Sequence, residues 1–267
     1  MSRLKLPYVF LGSEPIGPTA LRLLTNAGYP PVHVIDNPKL TTEEIIEEIE
    51  AHAPTFLLVV GYGAILKRVV LDTVAGQVLN IHPSLLPEYR GPAPVVQTIL
   101  DGPSETGVTL MEIDPKMDHG PILAQESHPL HGRETPEELY SVLTTKGVQL
   151  FLEHIDDYLK EELDPLPQMH DIATITHFVK KEDGALNLSE DPEQNERKVR
   201  AYLGWPRTSL QLDGKQLLVD AAVVKEGRFV PTLVQPAGAK QMKFADYCNG
   251  LRLKPEEVLE KLEEQNS

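Results

Sequence analysis

Phe56-Leu57-Leu58-Val59-Val60, closed by Gly61-Tyr62-Gly63, is the stretch whose reading decides the fold. Five consecutive apolar residues leave no face of a strand for water. That pattern belongs to a strand buried on both sides, as in a parallel sheet covered by helices. The flanking segments agree. Tyr8-Val9-Phe10-Leu11-Gly12 reads as a first strand, and Pro18 to Leu24 opens a helix that ends near Asn26-Ala27-Gly28. Val32 to Ile35 is a second strand. Thr41-Thr42-Glu43-Glu44 then starts a helix with a Thr cap and acids that suit the helix dipole. Ala64 to Val74 reads as a helix and Val78 to His82 as a fourth strand. This alternation predicts an α/β fold, a Rossmann-like doubly wound and mainly parallel sheet. Thr109–Ile113 and Ile122–Gln125 add later strands, and Pro136 to Lys160 a long helix.

After Leu163 the composition changes. Asp164-Pro165-Leu166-Pro167 breaks the helix and a polar stretch follows. The expected organisation is a first domain over residues 1–165, a linker over 166–195 and a small C-terminal β domain over 196–267. Within the last, a short helix at 196–203 precedes strands at 209–212, 216–221 and 228–235, with Asp213-Gly214 as a two-residue hairpin turn. Pro255–Gln265 reads as an acidic, loosely attached helix.

The bulk properties narrow the class. The 267 residues carry a net charge of −15, which argues against general nucleic-acid binding. The charge is uneven, however. Residues 197–254 hold 11 Lys and Arg against 4 Asp and Glu, a basic region on an acidic body that suits one phosphate-facing surface. One cysteine, Cys248, excludes an intramolecular disulfide and reads as a small buried hydrophobe. No apolar run approaches the roughly 20 residues of a membrane span, and the N-terminal residues do not resemble an export signal. A soluble cytoplasmic protein is expected, with a monomer favoured.

Asn80 and His82 carry the chemistry. Strand alternation sends both to one face, and Pro83 stops the strand, so two polar groups meet at a strand's carboxyl end. Open α/β sheets place their ligands there. An amide donor, an imidazole and the carboxylate of Asp118, in Met117-Asp118-His119-Gly120, suit acyl transfer to an amine that is itself the nucleophile. The amide and a protonated imidazole meet the developing oxyanion, and the carboxylate favours the imidazolium. Other chemistries fit poorly. Gly12-Ser13-Glu14-Pro15-Ile16-Gly17 lacks the second glycine of a dinucleotide turn, and Ser84 lies in no nucleophile elbow. His119, His128 and His131 have no metal-ligand spacing and read as ordinary exposed histidines, so no metal is expected. The Gly61-Tyr62-Gly63 turn offers backbone to a flat ring, and Arg90 is a candidate for holding an anionic substrate.

Asn80-Ile81-His82-Pro83-Ser84-Leu85-Leu86-Pro87-Glu88-Tyr89-Arg90-Gly91, with Glu105–Thr109 and Asp114 to Ile122, resembles the folate-dependent formyltransferase superfamily. That resemblance implies 10-formyltetrahydrofolate as formyl donor and catalysis by Asn80, His82 and Asp118. It implies folate contacts from Tyr62, Gly63, Ala64, Ile65 and Leu66, from Ser84, Leu85, Leu86 and Pro87, and from Asp114 and Met117. Val179–Gly184, Arg200–Pro206 and Leu233–Met242 are similar to the methionyl-tRNA-formylating branch. This implies a truncated, OB-like β-barrel at the C-terminus and initiator methionyl-tRNA as acceptor, with Arg90, Arg200, Arg207 and Lys240 as candidate tRNA contacts. The chain departs from that branch at Ile35–Leu40, where a long basic loop is missing, and at Ala221–Phe229, where barrel strands are missing. Both departures fall on tRNA-contacting parts and keep open a small amine acceptor, such as a nucleotide-linked amino sugar.

Overall fold

The computed structural model describes residues 6–266, so the N-terminal residues read above as unlike an export signal lie in part outside it. The chain divides into two compact units. The first comprises the residues up to Val95, Ser104–Leu130 and Glu137–His177; the second comprises Val96–Pro103, His131–Pro136 and the residues from Phe178 onward.

The first unit is built on a six-stranded sheet of order β2-β1-β3-β4-β5-β6. Its strands are β1 (Tyr8–Leu11), β2 (His33–Ile35), β3 (Phe56–Val59), β4 (Val78–His82), β5 (Glu105–Glu112) and β6 (Ile122–Pro129). The first four are parallel; β5 runs antiparallel to β4, and β6 antiparallel to β5. Helices α1 (Gly17–Asn26), α2 (Thr42–Glu50) and α3 (Arg68–Leu71) connect the parallel strands. α2 begins with a full capping box, Thr41 with Glu44. The helix expected over 64–74 is shorter: its first turn is irregular, and only Arg68–Leu71 and a 3-10 turn at Asp72–Val74 are helical.

Alternation divides each central strand between two cores. Phe10, Phe56, Leu58, Leu79 and Ile81 face one side, against α5 (Pro136–Leu159). Val9, Leu11, Leu57, Val59 and Val78 face the other, with Ile45 and Ile49 of α2 and Val70 of α3. Asn80 and His82 continue the second face. Along α5, the buried Leu139, Leu143, Phe151 and Ile155 recur every fourth residue around Gly147, the last two in the first core. A side chain at Gly147 would start 2.3 Å from Ile81 Cγ2 and 2.9 Å from Val108 Cγ2, so glycine lets α5 lie close beneath β4 and β5.

The second unit includes α4 (Pro94–Asp101) from its third residue onward, and α6 (Pro192–Ala201). Its sheet has the order β10-β9-β8-β7, formed by β7 (Thr208–Leu212), β8 (Lys215–Lys225), β9 (Arg228–Pro236) and β10 (Met242–Lys243). The truncated barrel is thus an open antiparallel meander. Both hairpins turn on two residues with positive φ, Asp213-Gly214 and Glu226-Gly227, the tight turn that matches strand twist. α6 packs on β8 and β9, α7 (Phe244–Leu251) on β9 and α8 (Pro255–Gln265) on β7.

The terminal helix is not loosely attached. Val258, Leu259 and Leu262 lie in the core with Leu210, Leu212, Val234, Phe244 and Cys248. Asn266 then mimics a strand on the edge of β7 opposite β8: its side chain accepts from Gln211 N (2.7 Å) and donates to Gln211 O (2.8 Å). The acidic exterior of the helix hid this apolar stripe. Leu262→Ala should therefore cost about 2–5 kcal/mol in urea unfolding. A loss below about 0.5 kcal/mol would mean that the helix contributes little.

Candidate active site

β4 ends in the site because its neighbours hold it on both sides: Val59 of β3 is in register with Asn80, and Thr109 of β5 with His82. Asn80 and His82 are 9% and 5% exposed. The Asn80 amide makes no hydrogen bond to the described residues, yet its polar atoms are not sealed from solvent. It is an open donor at a strand end.

His82 is oriented by the loop that follows. Its Nε2 donates to the Tyr89 carbonyl at 3.0 Å, which fixes the hydrogen there in the neutral ring. Nδ1 is left facing Asp118 Oδ1 at 3.8 Å, beyond hydrogen-bond length but within strong electrostatic reach. Asp118 has φ 48°, a left-handed conformation that a short polar side chain tolerates. Its Oδ2 accepts from the Gly91 amide at 2.7 Å. Gly91 has φ 110°, and a Cβ there would sit 2.7 Å from the Thr176 carbonyl oxygen, so only glycine fits.

The residues expected around the folate divide by direction. Tyr62 points into the core and donates from its hydroxyl to the Asn37 carbonyl at 2.8 Å, leaving only its backbone at the turn. Leu66 and Leu86 are buried, while Ala64, Leu85 and Pro87 are half-buried and Gly63 is exposed. Ser84 is fully buried and its hydroxyl donates to the Glu88 carbonyl at 2.7 Å, so it is neither a ligand donor nor a nucleophile. Ile65 and Met117, by contrast, are 76% and 45% exposed. Large apolar side chains left in water suit a flat, partly apolar ring system. The 84–87 loop is rigid: Thr109 Oγ1 donates to Ser84 O and accepts from Leu86 N, and Gln125 donates to Leu86 O. Among the described residues no group of three or more His, Cys, Asp or Glu side chains is placed to hold a metal ion.

Three of the four candidate tRNA contacts are engaged within the chain. Arg90 is 7% exposed, and its guanidinium donates to Gln168 and His170. Arg200 is paired with Glu196 and donates to the Glu134 carbonyl. Arg207 makes a bidentate pair with Asp220 and donates to Gln235. Each is committed to holding its own unit together. Lys240 alone is exposed and without a partner among the described residues. His119 is engaged as well: it pairs with Asp114 Oδ2 at 2.6 Å and stacks on His170 at 3.9 Å. Gln168, His170, Tyr89 and Gly91 were not found from sequence. Gly91 meets Asp118 across 27 residues, and Gln168 and His170 meet Arg90 across 78 and 80, whereas the Tyr89 carbonyl meets His82 across only 7.

A partly apolar folate-type surface, an open amide and an imidazole facing a carboxylate, all at the carboxyl edge of a Rossmann-like sheet, define a formyl-transfer class of enzyme. A family model described as formyl transferase matches residues 10–155. A methionyl-tRNA formyltransferase of Halorhodospira halophila is 35% identical over 250 residues, covering 85% of this chain and 81% of that protein. The chain belongs to the methionyl-tRNA formyltransferase family. Among solved structures, the methionyl-tRNA formyltransferase of Clostridium thermocellum has the same fold (TM-score 0.66, 18% identity, 86% of this chain and 99% of that one). HypX from Aquifex aeolicus in complex with tetrahydrofolic acid shares it too (TM-score 0.67, 19% identity, 92% of this chain and 47% of that one).

His170 lies below the ordinary histidine range, first because desolvation disfavours its charged form and then because His119, Arg90 and Lys116 repel it, against the pull of Asp114. The unfolded chain takes up this proton near 6.5 while the folded chain resists it. The resulting stability is present above that pH and lost on acidification. Protonation also removes the lone pair that accepts from Arg90. His170→Asn, which keeps an acceptor but cannot titrate, should flatten the fall in urea midpoint between about pH 7.5 and about pH 5.5. Parallel curves for the two proteins would exclude this role.

Proposed function

We propose that this chain transfers the formyl group of 10-formyltetrahydrofolate to the α-amino group of methionyl initiator tRNA, acting as a monomeric cytoplasmic enzyme of translation initiation. The observation that carries the reading is the open Asn80 amide beside the His82–Asp118 pair, with the nearby Ser84 hydroxyl tied to the Glu88 carbonyl. The donor supplies an acyl carbon, and negative charge grows on the formyl oxygen as the amine attacks. Asn80 presents N–H groups to that charge without having to break a bond inside the protein. His82 keeps its Nε2 hydrogen on Tyr89, so a proton taken up by the ring in the reaction goes to Nδ1, beside the Asp118 carboxylate. That Nδ1–H is the second donor to the oxyanion. Asp118 also accepts the proton shed by the amine, through a bridging water, and that proton goes to N10 of the donor as the formyl C–N10 bond breaks and tetrahydrofolate leaves. Exposed Ile65 and Met117 provide apolar surface for the pterin.

Support for a tRNA acceptor comes from the likeness to relatives of that name over 85% of the chain and from the basic 197–254 region. The second reading, a small amine acceptor such as a nucleotide-linked amino sugar, draws on one observation. The connection from β2 to α2 spans only residues 36–41, too short to form a long basic loop.

Formyl transfer to methionyl initiator tRNA, with elongator methionyl-tRNA and free methionine as controls, tests the assignment. Selective modification of the initiator is expected. Affinity for it should fall at least about tenfold between about 50 and about 200 mM salt as counterions are released. Salt-independent binding, or transfer only to a small amine, would favour the second reading. Asn80→Ala should lower kcat about 10²–10³-fold with the fold retained, the scale for one lost oxyanion donor. Turnover near that of the unmodified enzyme would defeat the mechanism.

A further inference from the structure

We propose that Gln168 is a positioning residue for formyl transfer, holding the backbone of the Asp118 turn so that its carboxylate faces His82. The inference rests on the functional reading above and deepens it.

Gln168 is 6% exposed, and every hydrogen-bonding position of its amide is used. Nε2 donates to the carbonyl of Asp118 at 3.0 Å and to that of Gly120 at 2.7 Å. Oε1 accepts from Arg90 Nε at 3.1 Å and from the same guanidinium's NH2 at 2.6 Å. The orientation of the amide is therefore dictated. Reversed, it would set an oxygen against two carbonyls and an NH2 against a guanidinium. The two carbonyls it clamps flank His119, so the side chain spans the turn that carries Asp118.

That turn needs a clamp. Asp118 sits at φ 48°, which a non-glycine residue keeps only when its surroundings hold it there. Its carboxylate has one protein hydrogen bond, from Gly91, and stands 3.8 Å from His82. A small rotation of the turn would lengthen that separation, and a displacement of about 1 Å at reacting groups costs on the order of 10² in rate.

Arg90 completes the support. Its backbone is paired with the 174–176 segment, Arg90 N to Thr174 O at 2.9 Å and Thr176 N to Arg90 O at 2.6 Å. The segment carrying Gln168 is pinned in turn by the Leu166–Ile122 bridge, two bonds of 2.8 Å. Residues 166–176, expected to be part of a linker, therefore brace the loop after β4 and the Asp118 turn together. The buried Arg90 charge is spent on this polar cluster and is not presented to a substrate.

A double-mutant cycle in kcat separates positioning from general support. Gln168→Leu should lower kcat about 10–100-fold while leaving KM for 10-formyltetrahydrofolate within about threefold. In an Asp118→Asn background the same substitution should lower kcat less than about threefold further, because residues acting through one group are not additive. Thermal melting confirms that each variant is folded. Should Gln168→Leu fail to fold, Gln168→Met and Arg90→Lys carry the same cycle, the latter expected to give a smaller loss that also vanishes with Asp118→Asn. A Gln168 variant of normal kcat, or one whose loss is undiminished in the Asp118→Asn background, overturns the proposal. Normal turnover in Asp118→Asn alone would instead overturn the catalytic reading of Asp118, so the two failures are distinguishable.

Discussion

Everything at this site depends on one constraint: a strand buried on both faces must end in two polar side chains. Val78, Leu79 and Ile81 are committed to the cores on either side of β4, and the register with β3 and β5 leaves Asn80 and His82 no freedom to turn elsewhere. Burying such groups without partners is costly. His82 resolves this with the Tyr89 carbonyl and the Asp118 carboxylate. Asn80 does not resolve it within the chain, and an amide left waiting at the edge of a rigid sheet is what a transition-state donor requires. Packing thus provides the preorganisation. Gly147 belongs to this account, because the close approach of α5 fixes Ile81, the residue between the two polar ones.

The sheet and the pair on β4 were legible in the sequence because each depends on a local period. Alternation at residues 78–82, the apolar run at 56–60 and the Thr41 capping box need no knowledge of distant residues. What escaped depends on distance. Gln168 stands in a proline-broken stretch with no period, so nothing local marks it as a ligand of residues 118 and 120. His119 looked ordinary because its partners, Asp114 and His170, are defined by a turn and by a remote segment. α8 was misjudged for another reason: Val258, Leu259 and Leu262 form a narrow apolar stripe within an acidic helix, and composition averages it away.

The arginines teach the complementary lesson. Arg90, Arg200 and Arg207 were attractive as phosphate ligands because charge counted along a sequence takes no account of pairing. In the fold each meets a carboxylate, a carbonyl or an amide, and a guanidinium already held by a bidentate partner has little to offer an incoming phosphate. The basic character of residues 197–254 is correspondingly less available than its excess of seven positive charges suggests. Among the four basic candidates, Lys240 alone stays exposed and unpaired among the described residues, and a charge of that kind acts at long range and is salt-sensitive rather than geometric.

This distribution bears on how a shortened member of the family would recognise its acceptor. The six residues between β2 and α2, and the two-residue turns of the two hairpins, are too short to fold around a partner. At these three connections the surface already exists, and no long loop there has to be fixed at an ordering cost. Fewer contacts also mean less binding energy to offset misalignment at the reacting atoms. A site with an open amide, a ring locked by a backbone carbonyl and a carboxylate turn clamped from behind is suited to that economy. Its rigidity does not depend on the acceptor closing anything upon itself.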